Sequence, residues 1–295
     1  VRSTPNVAAA IVVAGLLAGC AGSDDNDPNS DGAPIEVVAS FYPLAWVAEE
    51  IGGDAVDVQN LTPAGSEPHD LELSPSQTAA VAEADLVVAM GSGFQPSLEA
   101  AAEARKNGTL FVLASFLDAH ADPHVWLNPV QMIEIVDTIE RSLVEIATEE
   151  RDAFATRADD LRAELSALDD EYTSGLADCA RRDLFTSHEA FGWLARRYDL
   201  RQQGVAGISP DEEPSPGRLA ELAEMVRDSG ATTIFAETLL SPEIAETLAD
   251  EAGGIRVATL NPIEGLTDEQ ADSGADYLSV MRDNLRALRD ALGCT

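Results

Sequence analysis

The chain has 295 residues, 45% of them hydrophobic, which suffices for a core in one or two domains and is too apolar for a disordered polymer. Against 18 Lys and Arg stand 53 Asp and Glu, a formal net charge of -35. Such a surface repels nucleic acid, whose binding rests on neutralising phosphates with basic groups, and concentrates cations near clefts. Solubility is the first reading of the overall charge, and the single lysine, Lys106, reflects composition and not chemistry.

Arg2 precedes an apolar run from Val7 to Leu17, which ends in Leu17-Ala18-Gly19-Cys20. A basic head, a short apolar stretch and small residues make an export signal, and the run is too short for a membrane span of ~20 residues. The ending resembles the bacterial lipobox, which implies cleavage before Cys20 and a lipid on its sulfur. Residues 1–19 are then the signal peptide. Residues 20–34 are a polar tether, rich in Gly, Pro and acids, that cannot bury a core. The expected location is the outer face of the cell membrane, anchored at Cys20. Export favours a disulfide between the other two cysteines, Cys179 and Cys294, over free thiols.

Beyond the tether, short apolar runs alternate with helical stretches. Strands are expected at 35–40, 56–61, 84–90 and 110–113, with helices at 44–51 and 74–83. Residues 130–175 contain no internal Gly or Pro and keep helical apolar spacing. One straight helix there would reach roughly 70 Å at ~1.5 Å per residue, so a break is expected within a long bridging element. Alternation then resumes, with strands at 183–187, 232–236 and 256–260 and helices at 191–198, 216–229, 242–252 and 273–292. The reading is an α/β fold of two lobes, each a mainly parallel sheet flanked by helices, joined by one long bridging helix. The lobes are 35–128 and 177–295, and the bridge is 129–176. Ligands of such sheets bind beyond the carboxyl ends of the strands.

Only four histidines occur: His69, His120, His124 and His188. His69, His124 and His188 sit in loops just after strands or just before helices. Glu237 and Asn261 end strands of the second lobe. Three imidazoles and an oxygen donor form a tetrahedral Zn²⁺ site, with Glu67, Asp70, Asp122 and Glu189 available to orient the rings. A loop histidine taken alone is more often a surface or structural residue, and no local signature such as HExxH is present.

Several segments fall in one order: Ser40-Phe-Tyr-Pro-Leu44, Gly65-Ser-Glu-Pro-His-Asp-Leu-Glu72, Ala84-Asp-Leu-Val-Val88 and Asp122-Pro-His-Val-Trp-Leu127. His188-Glu-Ala-Phe-Gly-Trp-Leu-Ala195, Glu213-Pro-Ser-Pro216, Phe235-Ala-Glu237 and Leu260-Asn-Pro-Ile263 complete the set. In these segments the chain resembles the substrate-binding proteins of zinc and manganese ABC importers, of the zinc-uptake type. The resemblance implies one divalent metal between rigid lobes, with His69, His124 and His188 as ligands. It implies a partner permease, a monomer without catalytic activity, and Zn²⁺ as cargo. Histidine at the third position goes with zinc, where manganese-type relatives carry a carboxylate. The fourth ligand of relatives is usually an aspartate, where this chain has Asn261. Glu237 is therefore the expected fourth donor, because the site otherwise lacks an anion, with Asn261 or water as alternatives. His120 is read as a loop residue or weak auxiliary contact. The competing readings are a Mn²⁺ or Fe²⁺ carrier of the same family and, from another class, a zinc-dependent hydrolase.

Overall fold

The computed structural model describes residue 1 and residues 33–106, 108–115, 122–210 and 214–295. The expected signal peptide from residue 2 on, Cys20, the tether up to residue 32, His120 and Glu213 lie outside the described residues. Both sheets belong to one compact unit, Pro34–Thr295.

The first lobe runs β1 (Ile35–Ala39), α1 (Tyr42–Gly52), β2 (Val56–Asn60), α2 (Pro75–Glu83), β3 (Leu86–Ala89), α3 (Pro96–Glu103) and β4 (Thr109–Phe111). Its four strands are parallel in the order β2-β1-β3-β4. The central strands β1 and β3 are almost wholly apolar because helices cover both faces of the sheet. Helix α2 starts where Ser74 and Gln77 close a reciprocal capping box.

Two helices follow, α4 (Pro129–Ile146) and α5 (Arg151–Gly175). The single bridge over 129–176 is thus interrupted. At Ala147 the backbone leaves the helical region (φ -124°, ψ 85°), and one 3-10 turn over Thr148–Glu150 starts the next helix. The break lets two apolar stripes face one core: Met132, Ile135, Val136, Ile139 and Leu143 on α4, and Phe154, Leu161, Leu165, Leu168 and Tyr172 on α5. Helix α5, ~37 Å long at 1.5 Å per residue, is the element that spans the lobes. Near its start Arg157 donates to the carbonyls of Ile51 (2.6 Å) and Gly52 (2.8 Å) at the end of α1.

The second lobe runs β5 (Asp183–Thr186), α6 (Gly192–Arg197), β6 (Arg201–Gly204), α7 (Pro216–Ser229), β7 (Thr233–Ala236), α8 (Glu243–Glu251), β8 (Arg256–Thr259), α9 (Asp268–Asp272) and α10 (Tyr277–Leu292). Its sheet repeats the first topology, β6-β5-β7-β8, all parallel. Tyr172 near the end of α5 donates to the Met281 carbonyl on α10 at 2.6 Å and stacks on Tyr198. One buried apolar cluster therefore runs from β1 through α5 to α10. The expected final helix 273–292 starts four residues later, at Tyr277, because Gly274 turns the chain with φ 73° and Asp276 caps α10.

Cys179 and Cys294 form a disulfide across 115 residues of sequence. It ties the segment after α5 to the end of α10. In the chain-entropy model a loop of that length contributes about 5 kcal/mol. Replacing both cysteines by alanine should lower stability by up to about 5 kcal/mol, seen as a fall in the denaturant midpoint with helical content intact. An unchanged midpoint would mean that packing alone holds the terminus.

Candidate metal centre

Every side chain of the site comes from a loop at the carboxyl end of a strand. His69 lies in the loop after β2, and His124 in the segment joining β4 to α4. His188 follows β5, and Glu264 follows β8. Parallel strands put all these ends on the same rim of each sheet, and the two rims face each other. The first lobe supplies His69 and His124, the second His188 and Glu264.

The four side chains converge on one point, with one ligand atom from each within 4.8 Å of all the others. Glu264 Oε1 lies 3.4 Å from His69 Nε2, 3.2 Å from His124 Nε2 and 3.5 Å from His188 Nε2. The Nε2 atoms of His124 and His188 are 3.4 Å apart. Zinc bonds of ~2.0–2.1 Å at tetrahedral angles place donor atoms about 3.3 Å from one another. These four separations are therefore close to those of donors around one small cation. His124, His188 and Glu264 are buried, and the His69 side chain is only 9% exposed. Among the described residues, both oxygens of Glu264 and Nε2 of His69 have no hydrogen-bond partner. Buried polar atoms without partners are costly, so a set of them aimed at one point marks a ligand position.

The rings are held from behind. Asp122 Oδ1 accepts from the backbone N–H of His124 (3.1 Å) and lies 2.9 Å from its Nδ1. Glu237 Oε1 accepts from the backbone N–H of His188 (2.9 Å), and its Oε2 lies 2.6 Å from His188 Nδ1. A carboxylate at Nδ1 puts the proton there and leaves Nε2 as the donor toward the site. Aromatic rings wall the cleft: Phe94 lies edge-on to His69, and Trp126 is tilted against His124.

Glu237 and Asn261, the expected fourth donor and its alternative, are not part of the converging set, in which the fourth side chain is that of Glu264. Sheet register explains Glu237. Thr186 of β5 pairs with Phe235 of β7, so two residues on, Glu237 stands beside His188 and is committed to its Nδ1. Asn261 is committed to a turn. Its Oδ1 accepts from Ile263 N at 2.7 Å, while Asn284 of α10 accepts from its N–H (2.8 Å) and donates to its carbonyl (2.6 Å). That turn holds Ile263 at φ 56°, a costly conformation for a β-branched residue that persists only where the surroundings over-determine it. It aims Glu264 at the histidines. The signal for Glu264 was present in its place just after the Leu260-Asn-Pro-Ile263 segment. Of the four acids expected to orient rings, Asp122 does so. Glu67 instead accepts from the backbone N–H of His69 at 3.0 Å.

Charge is concentrated here out of water. Burial pushes the His188 pKa down, but Glu237 and Glu264 outweigh it and raise it to about 10. His124 is likewise raised, Asp122 and Glu264 overcoming burial. Burial opposes ionisation of Glu264, yet its contacts to His124, His188 and His69 hold it well below the usual carboxylate range. Burial, then the charge of Glu264, raises Glu67 to about 9. The cluster without metal thus holds protons that a cation must displace.

Residues 37–291 match the family described as zinc-uptake complex component A periplasmic. The zinc-binding lipoprotein AdcA of Streptococcus pneumoniae serotype 4 is 34% identical over 286 residues, covering 90% of this chain and 57% of AdcA. The chain thus spans little more than half the length of that relative. The high-affinity zinc uptake system protein ZnuA of Bacillus subtilis is 33% identical over 300 residues, with 94% of each chain covered. Among solved structures, the Zn(II)-bound ZnuA-like domain of S. pneumoniae AdcA is 35% identical, with a TM-score of 0.76 over 88% of this chain and 99% of that one. The laminin binding protein Lmb of Streptococcus agalactiae, described as bifunctional with adhesin and metal transporting activity, gives 0.80 at 31% identity over 88% and 99%. With sequence, fold and the order of its segments in agreement, this chain belongs to the zinc-uptake complex component A periplasmic family.

Proposed function

We propose that this chain captures Zn²⁺ outside the cytoplasm and delivers it to the permease of an ABC importer, with His69, His124, His188 and Glu264 as the four ligands. The observation that carries the reading is the 3.2–3.5 Å spacing of Glu264 Oε1 from three imidazole nitrogens in a buried cleft between the lobes. Three imidazoles and one carboxylate suit zinc better than manganese, which favours more oxygen donors. Four protein donors also support capture over hydrolysis, because a hydrolytic zinc keeps a position for water. In this reading the lipid on Cys20 holds the chain at the outer membrane face, and residues 20–34 tether it. Residues 35–128 and 177–295 are the lobes, 129–176 forms the helical bridge between them, and the protein acts as a monomer. The names of AdcA as a lipoprotein and of ZnuA as an uptake protein support the anchor and the importer.

Two measurements test this. Glu264→Gln removes the only anion in the four-donor set and should weaken zinc binding by at least ~100-fold. Glu237→Gln, acting through His188, should weaken it ~10- to 100-fold. Competition titration against a chelator reads both. A Glu264→Gln protein that binds zinc as the parent does would overturn the ligand assignment.

The second measurement is of protons. In the metal-free protein His188 titrates at about 10, above the ordinary value of ~6.5. Its contribution to stability is therefore full below pH ~6.5 and is lost as pH rises toward 10. Zinc takes the place of that proton, so its affinity should run the other way and rise with pH across the same window. At pH 7.5, calorimetry in buffers of different ionisation enthalpy should show at least one proton released per zinc. Heats independent of the buffer would contradict the protonated cluster.

A further inference from the structure

Asp122 sits on the seam between the lobes and is held from both sides. Toward the first lobe its Oδ1 fixes His124 through the backbone N–H and Nδ1. Toward the second, its backbone carbonyl accepts the indole N–H of Trp193 at 2.9 Å, and its Oδ2 lies 3.5 Å from the guanidinium of Arg196. Trp193 and Arg196 both belong to α6, and the guanidinium lies 4.6 Å over the indole ring. Gly192 begins the same helix, and a Cβ there would come within 2.5 Å of Asp122 Oδ2. The close approach of α6 to Asp122 therefore depends on glycine at that position.

We infer that Trp193 and Arg196 are positioning residues: acting through Asp122, they hold His124 in its zinc-binding orientation and set the rate at which the metal leaves. The inference rests on the zinc-capture reading above. Its physical content is that one residue serves both lobe closure and ligand orientation. With α6 against Asp122, the carboxylate is fixed and so is the His124 ring. When α6 moves away, the Asp122 carbonyl loses Trp193 and its carboxylate loses Arg196, and the imidazole loses the rigid acceptor that keeps Nε2 on the metal. The Arg196 side chain is 60% exposed, whereas those of His124 and His188 are fully buried. The latch can thus be reached from outside where the ligands cannot, and a partner that draws α6 off the seam would open the metal shell at His124 first.

The test is the zinc off-rate of the full chain, followed by stopped-flow transfer to an excess of chelator. Trp193→Phe keeps an aromatic side chain and removes the indole N–H donor; it should raise the off-rate ~10-fold, the scale of one lost hydrogen bond, while the metal-free protein still unfolds in one cooperative transition. Arg196→Gln alters an exposed side chain and should raise it about threefold, an effect that fades in high salt. In an Asp122→Asn background, which itself releases zinc faster, Trp193→Phe should add nothing further, because the two act in series. Off-rates within twofold of the parent for Trp193→Phe, or its full effect persisting in the Asp122→Asn background, would overturn the latch. A parent protein that retains no zinc would overturn the capture reading as well, whereas a zinc-loaded parent with unaltered variants overturns the latch alone.

Discussion

A carboxylate taken out of water must be paired, and Glu264 is 1% exposed. Its partners are three imidazoles that arrive from sequence positions as far apart as His69 and His188, so the pairing requires the whole fold. Two parallel sheets of the same topology turn their carboxyl ends toward one cleft. A helical hairpin and a continuous apolar cluster hold those ends in register.

Rigidity at the seam follows from hydrogen bonds that cross it. Trp126, two residues from His124, donates through its indole to the Pro262 carbonyl at 2.8 Å, two residues before Glu264. Tyr277 at the start of α10 donates to the Trp126 carbonyl and stacks on Trp46. Gly65 N–H, in the His69 loop, donates to the Leu266 carbonyl at 2.9 Å. Each ligand of the first lobe is thus tied to the loop that carries Glu264. A shell of fixed donors with buried carboxylates behind it favours a small divalent ion that can shed its water, and the ordered turn at Asn261 spares the ion the cost of arranging its own ligands.

Much of this architecture was legible in the residues. The apolar runs at β1, β3, β5 and β7 declared buried parallel strands, and Pro216 through Ser229 declared α7 at both ends through its cap and its Gly230 stop. Strand β6, Arg-Gln-Gln-Gly, was not visible because an edge strand with polar side chains has no hydrophobic period to detect. Helix α3, eight residues long, was not read from the sequence. His69, His124 and His188 stood out as loop residues beside strand ends, and the family resemblance is what set them together. Which carboxylate converges with them is decided in three dimensions. Glu237 and Glu264 both follow strands of the second sheet, and only the pairing of β5 with β7 assigns one to His188 Nδ1 and leaves the other for the cleft. A left-handed isoleucine is likewise invisible without coordinates, and it is what turns Glu264 inward.

The central claim is a closed shell of three imidazoles and one carboxylate around a single zinc. X-ray absorption spectroscopy of the zinc-loaded protein reads that shell directly. The zinc-loaded protein should show one zinc per chain, four nitrogen and oxygen neighbours at ~2.0–2.1 Å, and the outer-shell scattering of three imidazoles. A spectrum with one imidazole or none, a shell of six oxygens, or a sulfur neighbour would contradict it.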